Sequence, residues 1–263
     1  MATQVHTQVV FDTIAGTMSH QRIKLYQGSV SDCSYLEDRE TVNIYADPHH
    51  PEPRSVYNQL IQRGFRRSGE FVYRPGCPQC DACVPVRVVC DEFRPRRTDK
   101  RNLKLNADLE INLSPAEFTE EYFDLYNRYL VDRHAGGGMD NPSPADFERF
   151  LLNPWSETLF LDVRLDGKLV ASAVTDSTTD GLSAVYTFFD PTLPKRALGR
   201  YCILQQIEFC KMMNLPYLYM GYWVNDCRKM AYKTDFLPQE HFGGHNWDRI
   251  DSKKDIVKRS CRG

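Results

Sequence analysis

The chain has 263 residues, 41% hydrophobic and 12% aromatic, enough to bury one large core or two modest ones. It has no run of 18 apolar residues, which excludes a helical membrane span, and its polar start, Met1 to Asp12, predicts no secretory signal. The net charge of −2 is uneven: Arg54 to Lys104 holds twelve Lys/Arg against five Asp/Glu, a balance of +7 that leaves −9 for the rest. Such a basic island suits a polyanion partner, through phosphate contacts, as well as an ordinary solvated face.

In chain order, Ser55 to Arg63 puts Val56, Leu60 and Ile61 on one face and is closed by Gly64, which predicts a helix. Phe65 to Tyr73 reads as strand, Ser-Gly turn, strand. A cysteine turn follows, then a strand over Val84–Val89. Arg94 to Asn106 is basic and Pro-punctuated, an arm or the start of a helix, and Arg94, Arg96, Arg97, Lys100 and Arg101 are its candidate RNA contacts. A boundary near 108–114 divides the chain into 1–110 and 111–263. Ser114-Pro115-Ala116-Glu117 has a capping Ser, Pro at the first helical position and Glu three after the cap, predicting a helix through Phe118, Tyr122, Leu125, Tyr126 and Tyr129. Gly136–Gly138 ends it, and Ser143-Pro144-Ala145-Asp146 starts a second helix through Phe147, Phe150 and Leu151.

The period then changes to two. Thr158–Leu165, Leu169–Thr175 and Ser183–Phe189 predict strands, with hairpin signals at Asp166-Gly167 and Asp180-Gly181. A helix over Leu198–Met213 and a strand over Tyr217–Tyr222 follow, and the intervening helix makes that last strand parallel to its neighbour. This succession resembles the core of the GNAT acyltransferases. The expected fold class is α+β, a mostly antiparallel sheet flanked by helices, with an N-terminal cysteine-containing α/β part read as of similar fold. In such cores a pyrophosphate sits at the helix start that here is Pro194–Arg200, which makes Arg196 and Arg200 candidate phosphate ligands.

Nine cysteines, an odd number, fit reduced thiols in the cytosol better than a secreted disulfide framework. Cys77, Cys80 and Cys83 recur at two-residue spacing in a Pro/Gly-rich turn, so their thiolates can converge on one ion. Cys33 is the natural fourth ligand and Cys90 the reserve. Zinc, an iron–sulfur cluster and a redox-sensitive thiol set all stay open.

Arg67-Ser68-Gly69-Glu70-Phe71-Val72-Tyr73-Arg74-Pro75 leading into that turn resembles the N-terminal signature of the arginyl-tRNA–protein transferases. Gly181 to Pro191, Leu215 to Trp223 and Cys227 to Lys233 resemble their C-terminal region. The triple-cysteine turn running into Val84-Pro85-Val86-Arg87 is similar to the bacterial branch, whose members transfer leucine to proteins that begin with Asp or Glu and so mark them for degradation in the N-degron pathway. The resemblance implies a cytoplasmic enzyme whose partners are leucyl-tRNA and such proteins, with no cofactor required for the chemistry.

The implied reaction is aminolysis of an aminoacyl ester, which calls for positioning and oxyanion stabilisation rather than a Ser-His-Asp arrangement. Cations for an acidic N-terminal side chain are Arg87, Arg228, Lys229 and Lys233. Tyr186, Tyr222 and Trp223 are candidates to stack on the terminal adenine or wall the aminoacyl pocket. Asp176, Asp226 and His134 are candidates to receive or relay the amine proton. Arginine transfer, acetyl-coenzyme A-dependent N-acetylation with a zinc module, and RNA binding without catalysis are the competing readings.

Overall fold

A computed structural model describes residues 6–7, 23–133 and 141–259. The N-terminal part contributes β1 (His6–Thr7), β2 (Leu25–Gln27), β3 (Ser31–Asp32), β4 (Glu40–Thr41), β5 (Asn43–Ala46), α1 (Pro53–Ile61), β6 (Arg66–Ser68), β7 (Phe71–Pro75) and β8 (Val84–Val89). Next come α2 (Arg97–Leu105), β9 (Glu110–Pro115), α3 (Glu120–Arg133), α4 (Pro144–Leu151), β10 (Glu157–Leu165), β11 (Lys168–Thr178) and β12 (Gly181–Phe189). The chain closes with α5 (Leu198–Met212), β13 (Tyr217–Trp223), a 3₁₀ segment over Arg228–Asp235, β14 (Gln239–Phe242) and β15 (Trp247–Ile250).

An eight-stranded sheet, in the order β15-β14-β8-β13-β12-β11-β10-β9, is antiparallel except where β12 meets β13. The crossover through α5 forces that parallel pairing, as the order of elements predicts. Asp166 and Gly167 take positive φ of 50° and 77°, the geometry of a two-residue hairpin turn between β10 and β11. On one face α5 seals the sheet, with Ile203, Leu204, Ile207 and Cys210 packed on Val84, Val86, Val88 and Leu218. On the other, α3 and α4 pack Tyr122, Leu125, Tyr126 and Phe147 against Phe160, Val174 and Phe188. The small sheet β1-β2-β5-β7-β6 and α1 form a further core that includes Tyr219 of β13.

Three expectations need correction. The helix placed at Ser114-Pro115 starts at Glu120 instead, with the Thr119 hydroxyl accepting from Tyr122 N at 3.3 Å. Ser114 and Pro115 end β9, opposite Phe160 and Leu159, on an edge strand of the sheet, where a proline is tolerated. The boundary at 108–114 does not separate two folding units, because β8 lies inside the large sheet between β13 and β14. The N-terminal part is no second copy of the core: its five-stranded sheet consists of short, wholly antiparallel pairs.

Candidate active site

β12 and β13 pair only over Gly181–Ser183 and Tyr217–Tyr219, then separate toward their C-terminal ends. A bulge flanks the opening on each strand. Val185 is the extra residue of β12 where the register with β11 shifts at Val174/Thr175. Met220 is the extra residue of β13 where its register with β8 shifts between Tyr219 and Gly221. A bulge takes a backbone carbonyl out of the ladder and re-aims it.

Two cations fill the opening. Arg66 of β6 donates from Nη2 to Val185 O at 3.3 Å, and Lys233, 6% exposed, donates to Tyr222 O. Burial first, and then the Arg66 guanidinium, push the Lys233 ammonium down to about 7. Both heads lie against Gly221, whose φ of +71° favours glycine. A Cβ there would fall 2.9 Å from Arg66 Nη1 and 3.7 Å from Lys233 Nζ. The guanidinium also lies 5.9 Å from the Tyr222 ring centroid. Arg66 escaped the sequence reading. Its signal is the Arg66-Arg67 pair in a strand, since alternation sends the two side chains to opposite faces and both faces of β6 are covered.

Of the candidates, Lys233 alone among the substrate cations enters the opening. Arg228 and Lys229 are exposed. Arg87 is neutralised by Glu240, 2.7 Å from its Nε, and stacks 3.5 Å and 4.2 Å from the Tyr217 and Trp247 ring centroids. Tyr186 keeps a buried hydroxyl with no hydrogen-bond partner among the described residues. It is set edge-on to Phe150 and Tyr129 at 5.2 and 6.2 Å, and burial raises its pKa, so the hydroxyl stays protonated.

Four readings need correction here. Asp176 is buried and held bidentate by Arg67, with Nε–Oδ2 2.7 Å and Nη2–Oδ1 2.8 Å, and also accepts from Thr158 at 2.7 Å. It ties β6 to β11, with its oxygens occupied by Arg67 and Thr158. Tyr222 places its hydroxyl on Gly64 O and Tyr73 O, at 3.0 and 3.1 Å, and Trp223 packs in the α5 core beside His241, so neither offers a face for stacking. Arg196 is clamped by Asp108 at 2.8 Å, and Arg200 by Asp99 and Asp235, so both arginines of the expected pyrophosphate loop are already paired. This removes the main support for the coenzyme A reading. Asp226 is exposed and, among the described residues, accepts only from Asn225, at 2.7 Å. His134 lies outside the described residues.

The basic segment does form a helix. The inner face of α2 buries Asp99, Asn102 and Asn106, and both Asn side chains donate to Arg196 O at 2.9 Å. Asp99 pairs with Arg200, which also pairs with Asp235, so α2 is tied to the start of α5 and to the 3₁₀ segment beside the opening. Arg97, Lys100, Arg101 and Lys104, at i, i+3, i+4 and i+7, stay exposed on the outer face, and none has a carboxylate partner among the described residues. Arg94 and Arg96 differ: Arg94 donates to the carbonyls of Asp91 and Phe93, and Arg96 faces Asp99 and Asp235.

Cys33, Cys77, Cys80 and Cys83 line one pocket near Val224. Burial first, then Cys33, Cys77 and Cys227, push the Cys83 thiol up to about 12. Cys80 is disulfide-bonded. Zinc or an iron–sulfur cluster needs several thiolates converging on one point. Among the described residues no three His, Cys, Asp or Glu side chains do so. As arranged among the described residues, the cysteines do not converge on a point where such a group would sit.

An opened antiparallel sheet backed by a crossover helix and bordered by a basic helix defines an acyltransferase-like protein. Residues 31–101 match the family description "Arginine-tRNA-protein transferase, N terminus" and residues 121–243 match "Arginine-tRNA-protein transferase, C terminus". The chain belongs to this family and is an aminoacyltransferase. It is 46% identical over 233 residues to the aspartate/glutamate leucyltransferase of Alcanivorax borkumensis, covering 89% of this chain and 96% of that protein. The protein of the same name from Hahella chejuensis is 49% identical over 218 residues, covering 83% and 93%, and that of Pseudomonas fluorescens SBW25 is 46% identical, covering 86% and 96%. No helix among the described residues is long and apolar enough to cross a membrane.

Proposed function

We infer that this chain moves leucine from leucyl-tRNA to the α-amino group of proteins beginning with Asp or Glu, and that it works in the cytoplasm. The observation that carries the reading is the opened β12–β13 edge, with cations inside it and the bare basic face of α2 beside it. An aminoacyl end can enter such an opening while phosphates of the acceptor stem rest on α2.

The amine, with a pKa of ~7.7–8, attacks the ester carbonyl. A C–N bond forms, the C–O bond to the ribose breaks, the amine loses a proton and the ribose oxygen gains one. The ester is already activated, so holding both partners and stabilising the oxyanion supply most of the rate. Tyr186 is the candidate oxyanion donor, because its hydroxyl is neutral and has no hydrogen-bond partner among the described residues. Arg97, Lys100, Arg101 and Lys104 are the candidate phosphate contacts.

The test offers pools of tRNA, each charged with one labelled amino acid, together with a peptide beginning with Glu. Label passing to the peptide from leucyl-tRNA alone is expected. Label from arginyl-tRNA alone would move the activity to the sibling reaction, and label from no pool would refute the reading.

A further inference from the structure

Arg67 and Arg87, buried outright, have neutralising carboxylates in Asp176 and Glu240, and the half-buried Arg200 has Asp99 and Asp235. Arg66 and Lys233 have none among the described residues. Two like charges share one glycine in the strand opening, and among the described residues each donates to one main-chain carbonyl, Val185 O and Tyr222 O. A guanidinium has five N–H donors and an ammonium three, so most of their capacity is unused. Buried charge is costly unless paired, and two adjacent cations compound that cost. The fold keeps them there only by forgoing stability, which points to a partner that arrives with a negative charge. Aromatic rings of Tyr35, Tyr73 and Tyr222 surround Arg66 and supply no such charge.

We propose that Arg66 and Lys233 form a carboxylate-binding site in the β12–β13 opening, and that this site reads the acidic side chain of the acceptor's first residue. The inference rests on the leucyl-transfer reading for the identity of the acceptor. The guanidinium fork takes the two carboxylate oxygens and the ammonium closes on one of them. Two cations on flexible stems also fit both Asp and Glu, which differ by one methylene. Gly221 is the positioning residue, because any Cβ there displaces the Arg66 head.

The test uses three peptides differing only at the first residue: Glu, Asp or Gln. Leucyl transfer and equilibrium binding of labelled peptide are measured for the wild type, Arg66→Met, Arg66→Lys, Lys233→Met and Gly221→Ala. Truncating one member of a buried charge pair is expected to lower kcat/KM for the Glu peptide by about 30- to 1,000-fold. The Gln peptide should change by less than about threefold, since it lacks the charge being read. Arg66→Lys should recover part of the loss, and KM for leucyl-tRNA should hold constant in every variant, which also reports a folded protein. Equal losses on Glu and Gln peptides would overturn the proposal in favour of a structural role. A raised KM for leucyl-tRNA with an intact Glu-to-Gln ratio would overturn it in favour of a phosphate site. Absence of leucyl transfer in the wild type speaks against the functional reading, and selective binding of the Glu peptide then decides the carboxylate site separately.

Discussion

The Arg67–Asp176 pair shows how a strand position becomes a structural anchor. Both side chains are fully buried, and they join residues 109 apart in sequence. Asp176→Asn leaves an uncompensated guanidinium in the interior and should cost about 3–5 kcal/mol in urea unfolding, whereas Arg67→Met with Asp176→Leu should cost far less than the sum of the single changes. Lys233 sits at the opposite pole. It faces Arg66 of β6, Cys83 at the end of the cysteine turn and Cys227 just before the 3₁₀ segment, and its pKa is depressed to about 7. Only the protonated amine pairs with a carboxylate, so affinity for a Glu peptide relative to a Gln peptide should fall as pH rises past 7, by up to about tenfold per unit. Lys233→Arg, which stays charged, should flatten that profile in binding titrations from pH 6 to 9. Tyr186→Phe removes the candidate oxyanion donor and should lower kcat by about 10²-fold with KM unchanged in steady-state kinetics.

At the scale of elements, α2 divides its labour between two faces. Asp99, Asn102 and Asn106 dock it onto the start of α5, and its cationic stripe is left to solvent. Lys100→Glu with Arg101→Glu should weaken leucyl-tRNA binding and reduce the slope of log affinity against log salt by about two. The Glu-to-Gln peptide ratio should not move, which separates this surface from the strand opening. The two bulges are equally specific to their elements. They fall on β12 and β13, the pair that diverges; Arg66 bonds the carbonyl of the bulge residue Val185, and Lys233 bonds Tyr222 O just beyond the bulge of β13.

Across the whole molecule, the N-terminal and C-terminal family segments share one sheet. β8 packs Val84, Val86 and Val88 under α5, so a fragment of residues 111–263 would expose that core and leave β13 and β14 without their common neighbour. Expressed alone, the fragment should show no cooperative melting transition, while the intact chain shows one in calorimetry. Because Arg66 comes from β6 and Lys233 from the segment after β13, the candidate site exists only when both parts are joined.

Much of this was legible in the sequence, for a local reason. The helical faces of α1, α4 and α5, the alternation of β10 to β13 and the Asp166-Gly167 turn each depend on residues within a few positions, and the parallel β12–β13 pairing follows from one intervening helix. The resemblance of the 67–75, 181–191 and 215–233 segments to the transferase family carried the activity. The roles of single residues did not follow, because they depend on neighbours far away in sequence. Asp176 is occupied by Arg67, Arg200 by Asp99, and Ser114-Pro115 by a strand partner, none of which leaves a local mark. Composition and periodicity determined which elements exist and which face each buries. Only the tertiary structure decided that two cations meet with no carboxylate beside them among the described residues, since whether a charge is neutralised depends on what the folded chain brings within a few ångströms of it.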